Sequence, residues 1–319
     1  MTDISFIIPH KGRDDMLLQT LASIQALELN GNTIEVIVVS QNTEASDALQ
    51  AMKATLPLEI VFSQDGQTIS KSRNLGVSHA KGRFLAFLDA DIDLAPNWLL
   101  TMLTTLQREG IVLASAMQVN SAFAPPLERI RTALSNAHLD TTVTFLPGRN
   151  LFLKRETFDA VGGFPEHLIT CEDYYFTERV AQLGGLYYTS ETHYVHIGED
   201  KAFRPMFKKE IWRGQSNLAS IKGRKIPLSE WPSFFVPLMP CAFAILTIGS
   251  AVMGSFSMAA IALLMTFVPI LVYAIRLKWL VREETTLWHC IYFYIAYFPA
   301  RAIGTINGLW SEISTSSHN

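Results

Sequence analysis

The stretch Phe84-Leu-Ala-Phe-Leu-Asp89-Ala-Asp91-Ile-Asp93 decides the fold. Five apolar residues, bounded upstream by Gly82-Arg83, are too few for a core helix and fit a strand buried on both faces of a parallel sheet. Carboxylates begin where the strand ends. Open α/β sheets bind ligands at the carboxyl ends of their strands, so Asp89, Asp91 and Asp93 fall where a cofactor or metal would sit. Alternate residues of an extended tail point the same way, and Asp89 and Asp91 can share one divalent cation. A plainer role is equally open, because Asp is a common turn residue or helix cap. Asp93, with Pro96 and Asn97, suits that role before a helix expected over residues 98–107.

Toward the N-terminus the same pattern repeats. An apolar strand ending in Ile-Ile-Pro9 leads into the polar loop His10-Lys11-Gly12-Arg13. Asp14 or Asp15 can cap the next helix, where Leu17, Leu21, Ile24 and Leu27 recur at three- and four-residue spacing. Residues 33–39 read as a second strand with Ser40-Gln41-Asn42 at its end, and residues 58–62 as a third. Asp65-Gly66 then opens a loop into a helix over 70–79. Such a βαβα series predicts a mostly parallel, doubly wound sheet.

Toward the C-terminus the alternation loosens. A strand is expected over 111–119, a helix over 128–137, a strand from Gly148-Arg149-Asn150 to Lys154 and a short helix over 156–161. Gly162-Gly163-Phe164-Pro165 reads as a turn. Cys171-Glu172-Asp173 opens a helix with Phe176, Val180 and Leu183 on one face, where the macrodipole favours the two acidic residues. A strand over 186–189 and the stretch His193-Tyr-Val-His196 close this part.

The remainder differs in kind. The 45 residues from Trp231 to Ile275 carry no charge, and as one helix they would extend roughly 67 Å. A hydrocarbon core needs only about 30 Å. Two crossings, over residues 234–253 and 258–275, fit better than one, with Gly254-Ser-Phe-Ser257 between them. Lys222, Arg224 and Lys225 precede this hairpin and Arg276, Lys278 and Arg282 follow it, which places both ends on the cytosolic side. Residues 287–305 are aromatic but interrupted by Pro299 and Arg301, and read as an interfacial helix or a third membrane segment. Pro227, Pro232, Pro237 and Pro240 mark the passage, giving domains of 1–225 and 226–319.

Composition narrows the function. Of 319 residues, 49% are hydrophobic, and the excess lies in that second domain. A net charge of -3 supplies no argument for a nucleic-acid partner. Cys171, Cys241 and Cys290 are widely spaced, which indicates neither a disulfide framework nor a zinc site. The N-terminus lacks the basic and apolar regions of a signal peptide, so the first domain is expected in the cytosol.

In order along the chain stand Ile-Ile-Pro9, Ser70-Lys-Ser-Arg73-Asn74-Leu-Gly76, Ala80-Lys-Gly82, Leu88-Asp89-Ala90-Asp91, Gly162-Gly-Phe164, Glu172-Asp173 and His196. Together they resemble the family 2 glycosyltransferases, which have the nucleotide-binding fold called GT-A. The resemblance implies that Asp89 contacts a nucleoside and that Asp91 binds Mg2+ or Mn2+ with the diphosphate of a nucleotide sugar. It places His196 at a metal-binding position, Arg73 and Asn74 beside the nucleotide, and Asp173 as general base, with Glu172 positioning the acceptor or Asp173 itself. Pro9, His10, Gln41, Asp65, Ala90 and Arg213 join the donor-binding set. Two departures stand out. Ser40-Gln41-Asn42 replaces the family's acidic pair after the second strand, and a Gln there resembles a galactosyltransferase-like branch using uridine donors. Lys11 and Arg13 add cations to the first loop, whether for the diphosphate or as solvated loop charges. Trp212 and Arg213, in a basic and aromatic segment over 207–215, suit either the acceptor site or an anionic lipid surface.

The expected protein is an α/β GT-A enzyme followed by a membrane hairpin. It would sit in a bacterial inner membrane with its catalytic domain on the cytosolic face. There it would move a sugar from a UDP-sugar, with inversion, to a saccharide acceptor, lipid-linked or otherwise, in cell-surface polysaccharide or glycolipid synthesis. Two other readings remain, a polyprenyl-phosphate glycosyltransferase and a non-catalytic nucleotide-sugar-binding scaffold.

Overall fold

The computed structural model describes residues 2–215 and 231–316, so Lys222, Arg224, Lys225, Pro227 and the boundary near 225 lie outside the described residues. Packing divides the chain into one unit of Met1–Ala122 with Ser135–Glu199 and a second of Phe123–Leu134 with Asp200–Asn319. Residues 200–214, assigned from sequence to the first domain, thus pack with the second.

The first unit is built on one sheet of order β3-β2-β1-β4-β8-β6-β9-β5. Strands β1 (Ile4–His10), β2 (Ile34–Ser40), β3 (Leu58–Phe62) and β4 (Phe84–Leu88) are parallel neighbours. Alternation explains why both faces are covered. Ile4, Phe6, Ile8, Ala86 and Leu88 join one core with Leu17, Leu21 and Ile24 of α1 (Asp14–Gln25), Leu49 of α2 (Asp47–Ala51) and Trp98 of α4 (Trp98–Thr105). The intervening Ile7, Leu85 and Phe87 face a second core with Val77 of α3 (Ile69–His79), Phe158 of α6 (Arg155–Val161) and Phe176 of α7 (Glu172–Ala181).

The unbroken run of parallel neighbours ends at β4. Its other neighbour, β8 (Asn150–Lys154), is antiparallel and pairs antiparallel with β6 (Ile111–Val119), which runs parallel to β9 (Gly185–His196). The sheet is therefore doubly wound in its first half and mixed in its second. Asp93 belongs to a strand the sequence did not suggest, β5 (Ile92–Leu94), where it pairs with Val195 of β9; the cap position of α4 is Asn97, whose side chain bonds Glu191 and Thr192 rather than the helix. The two short C-terminal runs are one strand, β9, whose pairing with β6 shifts between Ala116 and Met117. A short β7 (Thr141–Val143) pairs with it at the other edge. Asp14 and Asp15 sit inside the first turn of α1, behind a left-handed Arg13.

The second unit is helical. Leu127 and Ile130 of α5 (Pro126–Ser135) and Met206 of α8 (Phe203–Gly214) share a core with Ile270, Ala274 and Leu277 of α11 (Phe256–Val281) and Phe293 and Phe298 of α12 (Leu287–Ser316). After α9 (Trp231–Phe235), α10 (Leu238–Val252) packs against α11. Stretches Trp231–Val252 and Phe256–Glu284 are each long and apolar enough to cross a membrane, and most of their apolar side chains face outward, Ile245 being 72% exposed and Val252 82%. Pro299 does not end α12, which continues to Ser316. Arg301 on that helix lies 3.7 Å from Glu210 of α8. Glu210 is buried and also faces Arg131 and Arg213; burial disfavours its charge, but the three guanidiniums outweigh that and hold its pKa below the usual range.

Candidate active site

Where β4 ends, the chain turns through Asp89-Ala90-Asp91 into β5. The Asp89 N–H donates to Arg149 O (3.1 Å), and Asp91 O accepts from the Ile197 N–H (2.8 Å). These bonds turn the Asp91 side chain inward, to 5% exposure. Its Oδ2 lies 3.3 Å from Arg13 Nη1, and its Oδ1 lies 3.4 Å from His196 Nε2. His196 Nδ1 meets Glu199 Oε2 (3.1 Å), which also accepts from Gln118 Nε2 (3.1 Å). Burial opposes the imidazolium, but hydrogen bonds to Asp91 and Glu199 outweigh it and hold its pKa above the ordinary value.

These residues fit a divalent ion. A carboxylate on Nδ1 fixes the tautomer that turns Nε2 toward Asp91, the outer-shell arrangement common behind metal-binding histidines. One oxygen and one nitrogen suit an ion such as Mn2+, with phosphate oxygens and water completing its shell. Gly198 lets the chain pass close to this carboxylate, because a Cβ there would fall on Asp91 Oδ2. Among the described residues no three His, Cys, Asp or Glu side chains close on one point.

Arg73 ties the first carboxylate to the second acidic pair. Thr68 Oγ1 caps α3 by accepting the Lys71 N–H (3.3 Å), and Arg73, on the next turn, is 1% exposed. Its Nη2 donates to Asp89 Oδ1 and to Gly148 O, both at 3.1 Å, and its Nη1 to Glu172 Oε1 at 2.9 Å. The Phe164 ring lies 4.9 Å beneath the guanidinium. Burial works against its charge, yet Glu172, Asp89 and Asp173 prevail and raise its pKa. Glu172 opens α7 behind a left-handed Cys171. Burial first and the charge of Asp173 second push its carboxyl up to about 7, against Arg73. Asp173 is less enclosed. Its Oδ2 accepts the Gly148 N–H (3.1 Å) and its Oδ1 the Tyr174 N–H (2.8 Å), leaving a lone pair on each oxygen for a further donor. Tyr174, the next residue, stacks on the exposed Phe145, ring centroids 5.5 Å apart.

Gly148 and Gly198, with Glu199, escaped the sequence reading. A Cβ on Gly148 would stand 2.9 Å from Arg73 Nη2 and 3.0 Å from Asp173 Cβ. The only hint in the sequence is the glycine preceding β8, which looks like an ordinary turn. Asn74, the expected neighbour of the nucleotide beside Arg73, clamps the Gly162–Phe164 turn, exchanging bonds of 2.9 Å with the Phe164 N–H and O and donating to Glu166 Oε1.

At the other strand ends, Pro9 and His10 close β1. His10 is buried, with Nδ1 3.2 Å from Ser40 Oγ and Nε2 3.4 Å from Asp14 Oδ1; burial pushes its imidazole down despite Asp14. Gln41 follows β2, donating to Gln67 O (3.1 Å) and accepting the Gly66 N–H (3.2 Å), so it braces the loop that carries Asp65. Asp65 pairs with Lys11 at 2.6 Å in an exposed position. Arg213 belongs to the second unit, where it reaches Glu210 and Asp200.

The sequence profile described as Glycosyl transferase family 2 matches residues 5–164, half of the chain. "Glycosyltransferase AglE" of Haloferax volcanii is 28% identical over 197 residues, covering 57% of this chain and 62% of that protein. A "Beta-monoglucosyldiacylglycerol synthase" of Trichormus variabilis is 25% identical over 186 residues, covering 52% of this chain and 39% of its own. The chain thus spans less than two thirds of these relatives' length. A mannosyltransferase from Pyrobaculum calidifontis, solved with GDP-Man and Mn2+, superposes with a TM-score of 0.63 at 16% identity over 97% of this chain and 87% of its own, which establishes the shared GT-A fold.

Proposed function

The chain belongs to glycosyl transferase family 2, and from that premise we propose that it transfers a sugar, with inversion, from a nucleotide-sugar donor to an acceptor hydroxyl at a membrane surface. The observation that carries this reading is Arg73, which joins Asp89 at the end of β4 to Glu172 at the start of α7. One buried guanidinium sets a donor-side carboxylate and an acceptor-side carboxylate in a single frame.

A sugar hydroxyl is a weak nucleophile at neutral pH. Asp173, oriented by the Gly148 and Tyr174 N–H groups, takes its proton as the oxygen attacks the anomeric carbon, an effect worth about 10²- to 10⁴-fold. The bond to the nucleoside diphosphate breaks on the opposite face, which inverts the centre. Asp91 and His196 would hold a divalent ion, Mn2+ or Mg2+, whose chemistry is to neutralise charge on the departing diphosphate. Asp89 would contact the nucleoside, and Gln41, at the end of β2, favours a uridine donor in our reading. The Phe145–Tyr174 stack offers an apolar face beside Asp173 for a saccharide acceptor.

Membrane attachment is supported by the outward apolar faces of α10 and α11. Leaving each such Leu, Ile or Phe in water forgoes about 1.5–3 kcal/mol, which a lipid surround would restore. That location favours a lipid-linked acceptor in glycolipid or cell-surface polysaccharide synthesis, with the first unit on the cytosolic face.

The test incubates the full-length protein in detergent with Mn2+ or Mg2+ and UDP-, GDP- and dTDP-sugars, with and without lipid extract, and follows nucleoside diphosphate release. Metal-dependent release from one donor, lost in Asp91→Asn, is the expected result. Tight donor binding with no release under any of these conditions would favour the scaffold reading instead.

A further inference from the structure

Arg13 Nη1 lies 3.3 Å from Asp91 Oδ2, so a cation bound to that carboxylate either displaces the guanidinium or shares the carboxylate with it. The loop is built to deliver it there. Gly12 and Arg13 both adopt left-handed conformations, with φ of 60° and 54°, a strained choice for an arginine. The Gly12 N–H donates to Asn42 Oδ1 (2.8 Å), and Asn42 Nδ2 donates to Asp14 Oδ1 (3.3 Å), pinning the turn to the loop after β2. On the far side, a Cβ on Gly198 would stand 3.1 Å from Arg13 Nη1. Strained backbone on one side and a missing side chain on the other keep one place beside Asp91 for a guanidinium. Its grip is light, since the Arg13 side chain is 60% exposed.

Resting on the donor reading above, we propose that Arg13 couples the binding of a divalent ion to that of the donor's diphosphate. Two cations repel across one carboxylate oxygen, so Arg13 opposes a free ion at Asp91. When the ion arrives with a diphosphate, the guanidinium has somewhere better to go, because its fork matches phosphate oxygens. Arg13 then leaves Oδ2 for the diphosphate, and the cost of displacing it becomes a contact with the donor. By linkage the effect is reciprocal: the ion favours the diphosphate as much as the diphosphate favours the ion. The site thereby selects the metal–nucleotide complex over the bare metal.

The experiment measures Mn2+ binding to the full-length protein by electron paramagnetic resonance of the free ion, with and without UDP or GDP. Wild type, Arg13→Met, Arg13→Lys and Asp91→Asn are compared. Arg13→Met is expected to bind Mn2+ alone more tightly than wild type, by roughly 5-fold or more on the usual scale of coupling between sites. Added nucleotide should then improve its Mn2+ affinity less than it improves that of wild type, and Arg13→Lys, which keeps the cation but not the fork, should match wild type for Mn2+ alone and gain less from nucleotide. Equal Mn2+ affinity in wild type and Arg13→Met, with binding lost in Asp91→Asn, overturns the coupling and leaves the metal site standing. Absence of Mn2+ binding to wild type and Arg13→Met, with nucleotide and without, overturns both.

Discussion

Arg73 and Arg13 hold two ends of one row of carboxylates by opposite means. The first is 1% exposed and grips Asp89, Glu172 and the Gly148 carbonyl at once; the second reaches Asp91 at 3.3 Å from an exposed loop. Depth sets what each can do. A guanidinium without water to replace its partners is fixed in place, whereas one in water exchanges partners at little cost. The Asp89–Glu172 end of the row is accordingly a rigid frame and the Asp91 end an adjustable one.

Arg73→Met attacks the contrast hardest, because it strands the buried Glu172 and the half-buried Asp89 without their counter-charge. Urea unfolding should show a loss of about 3–5 kcal/mol. A loss no larger than that of Arg13→Met would dissolve the distinction. Next in size is Asp173→Asn, which keeps the fold and should lower kcat by about 10²- to 10⁴-fold at an unchanged melting temperature. An unchanged kcat would point to an acceptor that arrives already ionised, such as a lipid phosphate.

Glu172→Gln sharpens the comparison through pH. Since the folded state raises Glu172 from 4.5 to about 7, it keeps a proton the unfolded chain has already released. That contribution is fully present below about 4.5 and is lost as pH rises through about 7. The melting temperature of wild type, relative to Glu172→Gln, should therefore climb between pH 7.5 and pH 5; a constant gap would mean that Arg73 keeps Glu172 ionised throughout. The smallest effect is expected for Arg13→Met, whose stability should stay within about 1 kcal/mol of wild type, as for other exposed ion pairs.

Much of this site was legible in the chain. Asp89 and Asp91 could be placed at a strand end because five apolar residues precede them, and Glu172 and Asp173 at a helix start because an apolar face follows. The partners of these carboxylates were hidden. Arg73 stands 99 residues from Glu172 and 16 from Asp89, and sequence spacing says nothing about which side chains share a guanidinium. Asn74 shows the converse, since its place beside Arg73 suggested the nucleotide while its amide faces the Phe164 turn. Successive residues on a helix point about 100° apart, so neighbours in a motif serve different surroundings.

Local pattern by itself determined the strand and helix order of the first half, the acidic termini and the long uncharged stretch, because burial periodicity and side-chain chemistry are properties of short segments. Tertiary structure alone decided that the sheet turns antiparallel after β4, that Asp93 pairs in β5 and that α5 and α8 pack with α11 and α12. It alone required glycine at 148 and 198. Those outcomes depend on which distant surfaces meet, and a distant side chain pressed close against a backbone leaves no mark on the sequence there except the absence of a side chain.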